Sequence, residues 1–142
     1  MNINEQLRRD EGVRTTAYRD EFGNWTTGVG HLILPSEAWL IKATLTDLQV
    51  SVILNHDIGV VQKDLVEFDW YANLDPVRQA AIENMTFNLG LPKLLHFPTM
   101  IHCLSVKDWT GAHDAALNSV WATQVKDRAV RIAKQIKFGT WQ

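Results

Sequence analysis

The chain has 142 residues, of which 46% are hydrophobic and 21% are charged, and its formal net charge is −2. This composition excludes a disordered chain and fits one compact domain or two small lobes that share a core. No run approaches the roughly 18 apolar residues that a membrane span requires, and the start lacks the apolar stretch of a signal peptide. Cys103 stands alone, so no intramolecular disulfide is expected, and we interpret it as a small buried hydrophobe rather than a nucleophile.

The first third of the chain predicts a short helix followed by a small sheet. Residues 3–11 have a helical pattern, and Gly12 is placed to end that helix, which puts Glu11 at its last position. Residues 15–33 are rich in Thr, Tyr, Trp and Val and are interrupted by glycines, a composition typical of a hairpin or of three strands. We expect the turn at residues 21–24.

After Pro35 the hydrophobic period becomes helical. An apolar stripe predicts one long helix from about Asp47 to Phe68, with Thr46 as its N-cap. Asp75 followed by Pro76 is a strong helix start, and the buried face of that helix continues until Gly90 ends it. Shorter helices are predicted at about 98–105, 108–121 and 126–137.

These elements predict an α+β fold with a small N-terminal sheet lobe, a connecting helix and a helical C-terminal lobe. The expected division of this single domain is a sheet lobe over about 12–45, a connecting helix over about 46–70, and a helical lobe of 71–142 together with 1–11. A cleft between the lobes is the expected ligand site.

Two carboxylates, Glu11 and Asp20, have the residue type that hydrolysis of a glycosidic bond needs. That reaction uses one carboxyl group to protonate the leaving oxygen and a second one on the opposite face of the sugar. Glu11 ends a helix and Asp20 begins a turn nine residues later, so a chain reversal can bring both to one cleft. Asp10, Glu21 and Asp47 are equally acidic, and the spacing alone does not distinguish a catalytic carboxylate from solvated surface charge.

A composite motif in the same region resembles the N-terminal lobe of the phage lysozymes of the T4 type. The motif consists of LRRDEG at 7–12, AYRD at 17–20 and GNWTTGVGHL at 23–32. The resemblance continues more sparsely through NMTFNLG at 84–90, Phe97, Trp109, Trp121, Arg128-Ala129 and GTW at 139–141. Residues 36–75 are the least similar, and this region is shortened relative to the T4-type proteins.

The resemblance implies specific roles for residues of both lobes. It implies that Glu11 protonates the glycosidic oxygen and that Asp20 with Thr26 positions an attacking water, as in an inverting hydrolase. A threonine in a strand is by default explained by β propensity alone, and that alternative stays open. Among cleft positions, the resemblance places substrate contacts at Gly30, Leu32 and Phe87, although Leu32 and Phe87 could equally belong to the core.

Supporting roles also follow from the resemblance. Arg128 is expected to hold the Glu11 side chain, with a solvated helix cation as the alternative. His31 is expected to form an ion pair with Asp57 on the long helix, which would stabilise the fold. Two polar substrate contacts of the relatives fall on Met100 and Ala115, a departure that bears on substrate preference. The remaining histidines lack metal-ligand spacing, so no metal and no cofactor are expected.

The leading functional hypothesis is an endolysin that cleaves peptidoglycan between N-acetylmuramic acid and N-acetylglucosamine, causing host cell lysis. We expect a monomer, made in the host cytoplasm and acting on the cell wall after release, with a holin as the partner for membrane passage. Stable membrane insertion is not expected. A nucleic-acid partner is not expected either, although residues 126–142 carry five basic side chains against one acidic one. The alternatives are a catalytically silent or virion-associated module and a lytic transglycosylase.

Overall fold

The computed structural model describes residues 1–142 and begins with a helix and a three-stranded sheet. Helix α1 (Ile3–Glu11) ends where Gly12 adopts a φ of +75°, a conformation that favours glycine. Strands β1 (Arg14–Arg19), β2 (Trp25–Gly28) and β3 (His31–Leu32) form an antiparallel sheet in the order β1-β2-β3. The predicted short helix and small sheet are both confirmed.

A 3₁₀ segment (Pro35–Lys42) and helix α2 (Asp47–Leu65) follow the sheet. Thr46 caps α2 as predicted, because its hydroxyl accepts a hydrogen bond from the Gln49 N–H while the Gln49 side chain accepts one from the Thr46 N–H. This reciprocal pair satisfies two helix-start N–H groups. The helix ends at Leu65, three residues before the predicted end, and Phe68 instead precedes the next helix.

Seven further helices complete the chain, and they pack around a common core. They are α3 (Asp69–Ala72), α4 (Pro76–Leu89), α5 (Leu91–Leu94), α6 (Pro98–Ser105), α7 (Trp109–Leu117), α8 (Val120–Val125) and α9 (Asp127–Phe138). The core includes buried side chains of α4, α7 and α9, such as Met85, Ala112 and Ile132. Arg78 joins the start of α4 to the end of α9, since it donates to the Ile136 carbonyl at 2.6 Å and stacks on Trp109.

The predicted single helix over 108–121 is wrong, because the chain forms α7 and α8 there. Helix α7 ends at Leu117, and Ser119 takes an extended conformation in which its hydroxyl accepts a hydrogen bond from the Ala122 N–H. Ser119 is therefore the N-cap of a new helix. Gly111 lies in the first turn of α7, where its N–H donates to Asp108.

The chain divides into two compact units, Asn4–Val60 and Met1–Ile3 with Val61–Gln142. We call them the sheet unit and the helical unit. The sequence-based division assigned all of 1–11 to the helical lobe, whereas Asn4–Glu11 falls in the sheet unit. Asn4 and Arg8 bond there to Asn55 and Ser51 of α2, at 2.9 and 2.8 Å. No helix in the protein is both long and apolar enough to cross a membrane.

Two helical glycines provide a test of this local packing. A Cβ atom at Gly111 would lie 2.3 Å from the Asp108 carboxylate, whereas one at Gly59 in α2 would meet nothing within 4 Å. Gly111→Ala should lower the free energy of unfolding by about 1–2 kcal/mol, because it displaces the N-cap. Gly59→Ala should instead raise it by about 0.5–1 kcal/mol, since alanine favours a helix. Urea unfolding of both variants measures this, and equal effects would contradict the packing described for Gly111.

Candidate active site

The Glu11 side chain packs against the backbone of Gly30. Glu11 is the last residue of α1, and Gly30 precedes β3 with a φ of +61°. A Cβ atom at residue 30 would lie 3.1 Å from Glu11 Oε2 and 3.2 Å from its Cδ. Only a residue without a side chain leaves that space free, so the turn between β2 and β3 fixes one side of the Glu11 carboxyl group.

Asp20 closes the hairpin between β1 and β2. Its Oδ1 accepts hydrogen bonds from the backbone N–H groups of Phe22 and Asn24, at 2.9 and 2.8 Å. Its own backbone N–H donates to the Asn24 carbonyl, and its carbonyl accepts from Gly23. The turn therefore holds one oxygen of the carboxylate in place, and Oδ2 takes no part in these bonds.

Thr26 is buried in β2 and is linked to Asp20 through the backbone of Asn24. The Thr26 hydroxyl donates to the Asn24 carbonyl at 3.2 Å, and the Asn24 N–H donates to Asp20. Because the single hydroxyl proton is directed at that carbonyl, the lone pairs of Thr26 Oγ1 remain able to accept a hydrogen bond. The backbone of Asn24 thus fixes both the hydroxyl of Thr26 and the carboxylate of Asp20, and each of these groups can accept a further hydrogen bond.

Thr26 is also the middle residue of a cross-strand row. The β1–β2 register pairs Tyr18 with Thr26, and the β2–β3 register pairs Thr26 with Leu32. Directly paired residues of antiparallel strands present their side chains on the same face. Tyr18, Thr26 and Leu32 therefore share one face of the sheet, and Leu32, a predicted substrate contact, is 51% exposed.

His31 lies between two carboxylates of the sheet unit. Its Nδ1 is 2.7 Å from Asp57 Oδ2 and its Nε2 is 3.0 Å from Glu37 Oε1. A neutral imidazole has only one N–H, so both nitrogens can donate only when the ring is protonated. The hydrogen bond to Asp57 raises the pKa of His31 against the opposing effect of burial, and the Asp57 charge and Glu37 raise it further.

Glu37 belongs to the 3₁₀ segment and was not among the predicted site residues. The same oxygen that faces His31 accepts a hydrogen bond from the Leu34 N–H at 3.1 Å. That backbone bond and His31 together lower the pKa of Glu37, although partial burial opposes them. The cluster therefore ties three elements together: β3, the 3₁₀ segment and α2.

In the helical unit, Arg128 is buried at the start of α9, with 8% of its surface exposed. Its Nε and a terminal nitrogen donate to the Asn84 side-chain oxygen, at 3.0 and 2.8 Å. A solvated helix cation is therefore wrong for this position. Asn84 lies on α4, as does Phe87, which is half-buried.

A cavity of about 410 Å³ lies in the helical unit, and none of the predicted catalytic residues lines it. Its walls include Phe97 and Trp121, whose rings meet edge to face with centroids 6.2 Å apart. Met100 and Ala115 also line this cavity. The two positions at which the resemblance led us to expect polar contacts thus line the same cavity, and both carry apolar side chains.

The sequence did not single out Tyr18, Asn24 or Glu37. Asn24 could have been found, because an aspartate followed by Gly-Asn in a turn commonly receives backbone N–H bonds on its carboxylate. The sequence did not indicate a site role for Glu37, because a glutamate shortly after Pro35 is typical of the start of a helix. Tyr18 became visible only with the strand register.

Comparisons with known proteins identify the class of protein to which this fold belongs. A family model described as phage lysozyme matches residues 8–133. The chain is 31% identical to the pre-baseplate central spike protein Gp5 of Enterobacteria phage T4, over 98% of this chain and 28% of that protein. It is 27% identical to probable T4-type lysozyme 1 of Dictyostelium discoideum, over 98% of this chain and 95% of that one. It is 28% identical to the endolysin of Salmonella phage P22, over 92% and 87% respectively.

The chain belongs to the phage lysozyme family and is a glycoside hydrolase. It spans less than a third of the T4 spike protein but corresponds to nearly the whole of the Dictyostelium lysozyme. Those two alignments extend over 162 positions, more than the 142 residues of this chain, so this chain lacks residues that those relatives have.

The His31 cluster predicts a pH-dependent contribution to stability. Because the folded pKa of His31 lies above its unfolded value of about 6.5, the Asp57 contact contributes fully below that pH and is lost as pH rises through the folded pKa. Asp57→Asn should therefore lower the free energy of unfolding by about 2 kcal/mol near pH 6, and by progressively less at alkaline pH. Urea unfolding across pH measures this.

The matched control for this prediction is His56→Gln, because His56 is the other histidine beside Asp57. Its side chain is 74% exposed, and its Nδ1 lies 3.4 Å from Asp57 Oδ1. It should leave the pH profile of stability unchanged. A destabilisation by Asp57→Asn that stays constant from pH 6 to strongly alkaline pH would contradict a protonated His31.

Proposed function

We propose that this glycoside hydrolase cleaves the β-1,4 bond between N-acetylmuramic acid and N-acetylglucosamine in bacterial peptidoglycan, by inversion. The observation that carries the proposal is the arrangement of three side chains in the sheet unit. Glu11 packs on Gly30, and Asp20 and Thr26 are joined through Asn24. The endolysin of phage P22 and the T4-type lysozyme of Dictyostelium support the substrate class by their names.

Glu11 acts as the general acid in this proposal. Breaking the bond requires a proton on the leaving oxygen, delivered by a carboxyl group held in a defined position. The Gly30 backbone restricts the Glu11 carboxyl group from one side, which limits the orientations available to it. A group restricted in this way loses little entropy when it meets the glycosidic oxygen.

Asp20 and Thr26 hold the attacking water on the other face of the sugar. A water that attacks carbon must donate its hydrogen bonds elsewhere, so its partners must be acceptors. Asp20 Oδ2 and the lone pairs of Thr26 Oγ1 meet that need, since Asp20 Oδ1 and the Thr26 proton are already engaged by the turn. Inversion then requires about 6.5–9.5 Å between the two carboxyl groups, which leaves room for this water.

Supporting contacts complete the proposal. Gly30, Leu32 and Phe87 contact the glycan, and the Asp57 contact of His31 keeps β3 in place. The apolar Met100 and Ala115 alter which groups of the wall polymer the cavity accepts. The protein acts as a monomer on the cell wall after synthesis in the host cytoplasm, and a holin provides passage through the membrane.

A second candidate function is that of a virion component with the same hydrolase activity. It is favoured by one observation, the 31% identity to the T4 spike protein Gp5 over nearly all of this chain. An antibody raised against this chain separates the two. It should detect the protein in the soluble fraction of infected cells and not in purified particles if the protein is a free endolysin.

Hydrolysis and the role of Thr26 can be tested together on purified cell walls. The wild-type protein should clear the walls, and Thr26→Val should lower kcat by about 100-fold, because it removes the acceptor oxygen at unchanged shape. The matched control is Thr27→Val in the same strand. Thr27 is fully buried and its hydroxyl has no hydrogen-bond partner, so its loss should leave activity and stability intact. Full activity in Thr26→Val would remove the water site.

Two glycines with nearly the same φ angle test the position of Glu11. Gly28 and Gly30 have φ values of +62° and +61°, so an alanine is strained at either position. A Cβ at Gly28 meets only Leu45 at an ordinary 3.9 Å, whereas one at Gly30 meets the Glu11 carboxyl group at 3.1 Å. Gly30→Ala should lower kcat/KM by about 10- to 100-fold more than Gly28→Ala does. Equal losses in the two variants would mean that Gly30 does not position the acid.

A further inference from the structure

Tyr18 is a half-buried aromatic residue that the proposed mechanism leaves without a role. It lies two residues before Asp20 in β1 and is paired with Thr26 across the sheet. Its side chain is therefore on the same face as the Thr26 hydroxyl and the exposed Leu32. Across this row, a phenol, a hydroxyl and an aliphatic side chain lie next to one another.

The ring of Tyr18 is held from one side by Arg14. The Arg14 guanidinium carbon lies 4.2 Å from the ring centroid, a distance typical of a cation–π contact. Arg14 covers one face of the ring, so the ring edge and the hydroxyl remain for other partners. One face of the Tyr18 ring is thus in contact with a neighbour on its own strand.

The phenol group lies within the electrostatic reach of both proposed catalytic carboxylates. Burial raises the pKa of Tyr18, Arg14 lowers it, and the negative charges of Glu11 and Asp20 each raise it. A raised pKa keeps the phenol protonated at neutral pH, so that the group is a neutral hydrogen-bond donor.

We propose that Tyr18 is a substrate-binding residue whose hydroxyl donates a hydrogen bond to an acceptor oxygen of the sugar at the cleaved bond. This inference rests on the proposed function. The chemistry is complementary, because Asp20 and Thr26 supply acceptors on that face and Glu11 gives its proton to the glycosidic oxygen. Tyr18 supplies the neutral donor that the acetamido and ring oxygens of an N-acetylated sugar require.

The chain contains only two tyrosines, which provides a matched control. Tyr71 lies in the helical unit, where its hydroxyl donates to the buried Glu83 at 2.5 Å. Tyr18→Phe keeps the ring and its contact with Arg14 and removes only the donor. It should lower kcat/KM on purified cell walls by roughly 3- to 10-fold at unchanged stability. Tyr71→Phe should lower stability and leave the activity of the folded protein unchanged.

A spectroscopic measurement separates substrate contact from a structural effect. With tyrosine labelled at the ring carbon that bears oxygen, each protein gives two signals. The inactive Glu11→Gln variant is titrated with a tetrasaccharide of alternating N-acetylglucosamine and N-acetylmuramic acid. The Tyr18 signal should move on binding and the Tyr71 signal should not. In the absence of sugar, Glu11→Gln and Asp20→Asn should each lower the pKa of Tyr18, because each removes a charge that raises it.

The outcomes distinguish this inference from the proposed function. If the wild-type protein does not degrade cell walls, the proposed function fails. If it does degrade them and Tyr18→Phe is as active as wild type, only the role of Tyr18 is overturned. A Tyr18 signal that stays in place while calorimetry records tetrasaccharide binding would also overturn it.

Discussion

The close approach of the Glu11 carboxyl group to the Gly30 backbone is the constraint on which the proposed chemistry depends. It requires a helix that ends at residue 11, a turn with positive φ at residue 30, and a residue there without a side chain. The sheet supplies the turn, and the Asp57 and Glu37 contacts of His31 anchor the strand that begins at the next residue. The position of an acid in a helix is thus set by loops and strands packed against it.

Asp20, the second carboxylate, is held in position by a different set of contacts. Asp20 is fixed by backbone N–H groups of its own hairpin, so the bonds that orient it lie within residues 20–24. The same hairpin orients the Thr26 hydroxyl through the Asn24 carbonyl. A single tight turn therefore prepares both acceptors, which allows a sheet of only three short strands to carry a precise arrangement of polar groups.

Local signals in the sequence predicted most elements, and the failures have physical causes. Helix α1, the sheet, α2 and α4 follow from hydrophobic period and from caps such as Thr46 and Asp75, which act over three or four residues. The break between α7 and α8 was missed because Ser119 caps a helix only if the chain is extended there, a choice made by tertiary packing. The 3₁₀ segment and α5 are too short for a periodic signal.

The candidate site was predicted unevenly for the same reason. Glu11, Asp20 and Thr26 were chosen through a motif, whereas periodicity alone could not separate them from other acidic or strand residues. The contacts that hold them, through Gly30 and Asn24, are backbone contacts, and the sequence does not show which side chains those backbone groups meet. Tyr18 and Glu37 act across strand pairs and between segments, so their partners became apparent only in three dimensions.

The central claim is that two carboxyl groups flank the scissile bond with a water between the sugar and the second one. The most direct measurement is digestion of purified glycan strands in ¹⁸O-labelled water, with mass spectrometry and immediate NMR of the new chain ends. The account predicts reducing N-acetylmuramic acid ends that carry one ¹⁸O at the anomeric carbon and appear first as the α anomer. Anhydro ends without ¹⁸O, or β anomers formed first, would contradict it.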